Sequence, residues 1–168
     1  ILKQIRCLCL RLMALTPSTM LALGTGLPDF ELPQVTGGRL SSSSLDQRPV
    51  LLMVLCAHCP FVKHVEPEIT RLDHDFSNTV QLIGVSSNSL ITHPHDGPEQ
   101  LADQARRHGW SFPYLLDEQP TLARALRALQ VKQSSGSFDC ASFTYVSFAF
   151  FSDDTVTLTA STAERLLK

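Results

Sequence analysis

One junction constrains this chain more than any other. An uninterrupted apolar run, Pro49-Val50-Leu51-Leu52-Met53-Val54-Leu55, stops at Cys56-Ala57-His58-Cys59, and a helical pattern begins directly afterwards. A short run without alternation predicts a strand buried on both faces, as in the middle of a parallel sheet. The segment after it carries Phe61, Val62, Val65, Ile69, Leu72 and Phe76 near the 3.6-residue period, which predicts one apolar helix face. Pro60 falls in the first turn, where its missing N–H costs nothing; Pro67 falls inside, where it is expected to bend the helix. The two cysteines thus bracket a dipeptide at a strand-to-helix turn, near enough to close a disulfide. On this reading Cys56 lies at the helix N-terminus, where unpaired N–H groups and the positive end of the dipole favour a thiolate.

The same logic extends along the chain. Asp29–Leu32 and Arg39–Leu40 read as two short strands joined through Thr36-Gly37-Gly38, followed by a polar turn at Ser41–Ser44. Thr79–Val85 reads as a second buried strand, and Pro98 opens a helix to about His108. Phe112–Leu116 reads as a short strand and Pro120–Leu129 as a third helix. Ser86–Pro98 reads as a polar loop, with His93-Pro94-His95 on its surface. Trp110 and Phe112 are expected to cover an edge of the core, and Asp117-Glu118 to lie at a helix N-terminus.

Residues 133–168 differ in character, with seven serines, five threonines, five phenylalanines and no proline. Ser142–Phe151 and Thr155–Thr159 nevertheless read as two final strands, with Ser161-Thr162-Ala163-Glu164 in capping-box form for a last helix. The fold class is therefore α/β: a three-layer α/β/α sandwich with a mixed central sheet and an N-terminal β-hairpin. Residues 1–14, which carry Lys3, Arg6 and Arg11 and no acid, are expected to be a disordered or targeting-like extension. Residues 15–168 then form the single domain, with 133–168 anomalous.

Composition narrows the function classes. Apolar residues make up 43% and charged residues 18%, the balance of a globular chain. A net charge of −2 gives no basic footprint for nucleic acid. No apolar run approaches the ~18 residues that span a bilayer. Five cysteines, an odd number, do not form a secreted disulfide framework; one working pair in a cytoplasmic, reducing compartment fits better.

Gly26-Leu27-Pro28-Asp29-Phe30, Leu32-Pro33, Gly37-Gly38 and Leu40, together with the placement of the C-x-x-C, resemble the AhpC/TSA-like redoxin branch of the thioredoxin superfamily. Cys56-Ala57-His58-Cys59-Pro60-Phe61-Val62-Lys63-His64, Ser87-Asn88, and the stretch from Gly109 to Glu118 resemble a thioredoxin-like subgroup with a CxHCPFVKH signature. The resemblance runs from about Leu15 to Leu129 and implies a thioredoxin-like fold. Three positions depart from it. Met53 stands where the peroxidase pattern P-x-x-x-T-x-x-C has its threonine. Leu55 stands where thioredoxins usually have tryptophan. The segment Gln133–Ala141, which should carry the superfamily's cis-proline, has no proline.

The resemblance implies a thiol–disulfide oxidoreductase acting on protein or low-molecular-weight thiols and disulfides, with no bound cofactor. Cys56 is then the attacking thiolate and Cys59 the resolving cysteine. Ala57, His58, Pro60 and Lys63 support them. His58, when protonated, stabilises the thiolate and moves the potential above that of thioredoxin, toward oxidising. Three alternatives stand beside this reading. One is a thiol peroxidase. Another is a metal module built on Cys56, His58, Cys59 and His64, with His93 and His95 added if their loop folds over. The last is a degenerate, inactive paralogue.

Overall fold

The computed structural model describes residues 21–91, 93–127, 147–152 and 155–161. The strands among them are β1 (Glu31–Pro33), β2 (Arg39–Ser41), β3 (Val50–Val54), β4 (Gln81–Ser86), β5 (Tyr114–Leu116), β6 (Ser147–Ser152) and β7 (Thr155–Ser161). The helices are α1 (Pro60–Phe76), α2 (Pro98–His108) and α3 (Thr121–Ala125). Single 3-10 turns occupy Ser42–Ser44 and Pro94–Asp96.

Five strands form one mixed sheet in the order β5-β4-β3-β6-β7. β3, β4 and β5 run parallel, β6 lies antiparallel on the other side of β3, and β7 pairs antiparallel with β6. β3 is the middle strand, which is why its sequence does not alternate. Its side chains divide by parity. Val50 and Leu52 join Ile83, Val85, Leu115 and Phe151 on one face, under Leu122 and Leu126. Leu51, Met53 and Leu55 join Leu82, Tyr114 and Leu116 on the other, under Val62, Ile69 and Leu101 of α1 and α2. Leu52 and Met53 are completely buried, each worth about 1.5–3 kcal/mol relative to exposure. The result is the expected α/β/α sandwich.

The β1–β2 pair is the expected N-terminal hairpin, in register Leu32↔Leu40. Its turn depends on Gly37 and Gly38, at φ of +97° and +80°, a region that glycine enters without steric cost. The hairpin docks on the outer edge of β5, where the Val35 N–H donates to the Tyr114 carbonyl at 2.8 Å. That contact covers part of an otherwise open sheet edge. α2 ends where Gly109 adopts φ +66°, and the following N–H, of Trp110, turns back to the Ala105 carbonyl at 3.0 Å.

Several expectations are corrected. Phe61 and Phe76 do not complete the apolar face of α1; they are 42% and 47% exposed. Glu66 and Asp73 occupy buried positions instead, because partners on α2 and on the segment after it satisfy their carboxylates. α3 spans only Thr121–Ala125 among the described residues, with Arg127 already at positive φ. Trp110 and Phe112, just before the edge strand β5, are buried in the core cluster. Ser161 pairs with Ser147 as the last residue of β7. The extension 1–14, the segment Gln133–Ala141 and any helix after Ser161 lie outside the described residues. No helix among the described residues is long and apolar enough to cross a membrane.

Candidate active site

The ladder of β3 runs one residue past the strand, with the Leu55 N–H donating to the Val85 carbonyl at 2.9 Å. The chain then bends through Cys56–Cys59, and α1 begins at Pro60. The N-cap of α1 is Cys59, whose carbonyl accepts from the Lys63 N–H at 3.0 Å. This corrects the expectation that Cys56 occupies the helix N-terminus: it lies three residues before the cap. Proline is well suited to the first helical position and has no N–H to offer, so the helix starts there and Ala57 and His58 remain outside it. Both cysteines are thiols and both are buried, at 6% and 5% exposure.

Asp96 joins that bend to the turn before α2. Its side chain is fully buried, at the end of the 3-10 turn that precedes α2. Oδ1 accepts from the backbone N–H of Ala57 at 2.8 Å and of His58 at 3.2 Å. Oδ2 faces His58 Nδ1 at 2.7 Å and accepts from the Asn88 side-chain amide. Four N–H donors around one carboxylate are what an ionised, buried Asp requires. The Ala57 and His58 N–H groups are therefore engaged by Asp96. In its protonated form the His58 imidazole offsets the Asp96 charge. His58 is held further by His93, stacked on it with ring centroids 4.9 Å apart.

A second buried network supports the bend from α1 and α2. Gln104 donates to the Cys56 carbonyl at 3.3 Å and to Glu66 Oε1 at 2.8 Å. His108 Nε2 lies 2.8 Å from Glu66 Oε2. The Tyr114 hydroxyl donates to Gln104 Oε1 at 3.1 Å. Burial pushes the Tyr114 hydroxyl well above the ordinary tyrosine range, and the charges of Cys56, Asp96 and Glu66 push the same way. Tyr114 therefore stays protonated in the native state while it ionises in the unfolded chain above about pH 10. The unfolded state then holds fewer protons, so stability is intact below that pH and falls above it, by up to about 1.4 kcal/mol per pH unit. Tyr114→Phe should remove this alkaline component while costing about 1–3 kcal/mol at neutral pH, since Gln104 Oε1 loses its donor. Urea unfolding of both proteins at neutral and alkaline pH checks the pair of effects.

The structure thus brings Cys56, Ala57 and His58 around Asp96, with Pro60 starting α1. Lys63 is exposed, on the wall of a groove that also includes Ala57 and His58. His93-Pro94-His95 is not a detached surface loop: His93 stacks on His58 and His95 lines the same groove. Cys56, His58 and Asp96 offer ligand atoms within 4.8 Å of one another, a different trio from the expected Cys/His set. Asp96 is not an available metal ligand while its two oxygens serve four donors. Sequence reasoning missed Asp96 altogether; the only local signal was an acid two residues after Pro94 in a loop already read as solvated. The Asp117 expectation holds, since its carboxylate accepts from the Thr121 and Ala123 N–H groups at 2.8 and 2.9 Å.

A dithiol at the end of the central parallel strand, facing the helices on one side of a mixed sheet, defines a thioredoxin-like protein. Residues 23–157 match the AhpC/TSA family, and the chain belongs to it. The match runs well into the Ser/Thr/Phe-rich segment and supports a redox function in the broad sense. Among solved structures, an uncharacterised conserved protein from Geobacillus kaustophilus is 29% identical, with a TM-score of 0.72 over 86% of this chain and 71% of that one. The peroxidoxin BcpB of Mycobacterium tuberculosis shares the fold at 22% identity and TM-score 0.65, covering 83% of this chain and 84% of its own. A secreted disulfide oxidoreductase of the same organism shares it at 15% identity and TM-score 0.58, covering 78% and 81%. No curated protein matches the sequence.

Proposed function

We propose that the protein is a thiol–disulfide oxidoreductase in which Cys56 and Cys59 form the exchanging pair. The observation that carries this reading is the buried C-x-x-C at the end of β3, with His58 and Asp96 gathered beside Cys56. The Cys56 thiolate attacks one sulfur of a substrate disulfide, and the other leaves as a thiolate that takes up a proton. Cys59, deprotonated, then attacks Cys56 and releases the second substrate thiol. The protein loses two electrons to form the Cys56–Cys59 disulfide, and the substrate disulfide is reduced to two thiols. His58, oriented by Asp96 and His93, stabilises the Cys56 thiolate when its ring is protonated. Peroxide reduction is less well supported. Met53, at the position of the peroxidase threonine, is completely buried and has no hydroxyl to offer.

The test is mass spectrometry of the chain equilibrated in glutathione buffers of stepped ratio and quenched by alkylation. A reversible two-electron couple mapped to Cys56 and Cys59 is expected, with a midpoint above about −270 mV, the value for thioredoxin. A midpoint below it would remove the thiolate-stabilising role of His58. Two thiols that never pair, with zinc retained in the native spectrum, would replace the oxidoreductase by the metal module.

A further inference from the structure

We propose that the groove beside the C-x-x-C selects anionic low-molecular-weight disulfides, whose carboxylates are held by Lys63 and Arg107. This deepens the oxidoreductase reading and rests on it. The groove has a volume of about 730 Å³ and is open to solvent, with Ala57 and His58, the two residues between the cysteines, in its wall. Such a volume suits a small ligand rather than a folded protein face.

The charge of the groove opposes that of the chain. The protein carries a net −2, yet Lys63, Arg106 and Arg107 line this space against the single acid Asp103. Arg106 neutralises that acid, with Nη1 2.5 Å from Asp103 Oδ1. Two cations remain. Arg107 donates to the Asp103 backbone carbonyl at 3.4 Å, which leaves its charge uncompensated. Among the described residues neither Lys63 nor Arg107 has an acidic partner. They project from different helices, α1 and α2, so the two charges flank the groove. A cleft lined by one sign of charge raises the local concentration of the opposite ion and its encounter rate. The reacting sulfur would be delivered past Ala57 and His58, and the exchange then follows the balanced two-thiol steps above.

The test uses the reduced full chain in single turnovers with three disulfides. They are glutathione disulfide, which is anionic; hydroxyethyl disulfide, which is neutral; and cystamine, which is cationic. Each rate is divided by that of dithiothreitol with the same disulfide, which removes intrinsic reactivity. The normalised rates are expected to fall in that order, with the anionic disulfide about tenfold or more ahead of the cationic one at low salt. The gap should shrink at about 0.5 M salt. Lys63→Glu and Arg107→Glu together should abolish or invert the order, and Arg107→Gln should narrow it. Both side chains are exposed, and thermal unfolding of each variant checks that the fold persists. Equal normalised rates, or an order that ignores the charge reversals, would overturn the proposal. If none of the three disulfides oxidises the Cys56–Cys59 pair, the oxidoreductase reading fails and takes this proposal with it.

Discussion

Asp96→Ala is expected to destabilise the protein by about 3–5 kcal/mol, the cost of leaving several enclosed hydrogen-bond donors without their shared acceptor. The carboxylate is completely buried and receives the Ala57 and His58 backbone N–H groups, the His58 ring and the Asn88 amide. Alanine offers none of these an acceptor. Each buried donor left unsatisfied costs about 1–3 kcal/mol, and the site is too enclosed for all of them to find solvent. Asp96→Asn should cost less. Its amide oxygen still accepts on one side, while its NH2 group turns toward donors on the other. Urea unfolding of the three proteins measures the series. An Asp96→Ala cost below about 1 kcal/mol would mean that the bend carries its own conformation and that Asp96 does not hold it. A loss confined to exchange rate, with stability unchanged, would point to a role on the reacting atoms instead.

The second large effect separates the two cysteines. Cys56→Ser should reduce disulfide exchange to the uncatalysed background, whereas Cys59→Ser should keep the first step and stall. In the stalled variant one substrate thiol stays attached to Cys56 as a mixed disulfide, visible as an added mass on the intact chain. The assignment is a real test, because the helix argument alone favours the other cysteine. Cys59 is the N-cap of α1, and the dipole acts within the first turn. Burial does not separate them, at 6% and 5% exposure. What favours Cys56 is geometry: its sulfur lies within 4.8 Å of ligand atoms of both His58 and Asp96, so a protonated imidazole held by that carboxylate would stand beside a Cys56 thiolate. If Cys56→Ser is the variant that traps a mixed disulfide, the roles are reversed and the helix N-terminus outweighs the His58–Asp96 pair.

The carboxylate that organises the site lies 38 positions from His58. Pro94-His95-Asp96-Gly97 has the composition of a solvated turn, and nothing in its spacing distinguishes it from one. Its burial follows from where β4 ends and α2 begins, which bring Asn88, His93 and Asp96 to the bend after β3. Glu66 and Asp73 illustrate the same point on α1. Their sequence positions fall on the apolar face, but only Gln104, His108 and Ser111, supplied by α2 and the segment after it, make burial of a carboxylate tolerable. Phe61 and Phe76 fit the period equally well, yet they remain 42% and 47% exposed.

What the sequence by itself determined is local. The apolar run before the cysteines has to be a doubly covered strand, since no alternation leaves it a wet face. Pro60 and Pro98 open helices at the residues where they stand, because a fixed φ and a missing N–H suit the first helical position. Paired glycines set the hairpin turn, and Gly109 ends α2. Tertiary structure decided the strand order, with β6 inserted antiparallel beside β3, and the meeting of Asp96 and His93 with the C-x-x-C. The physical reason is one of range. Periodicity, capping and turn chemistry act over a few residues, whereas the burial of a charge depends on donors that distant segments bring to it.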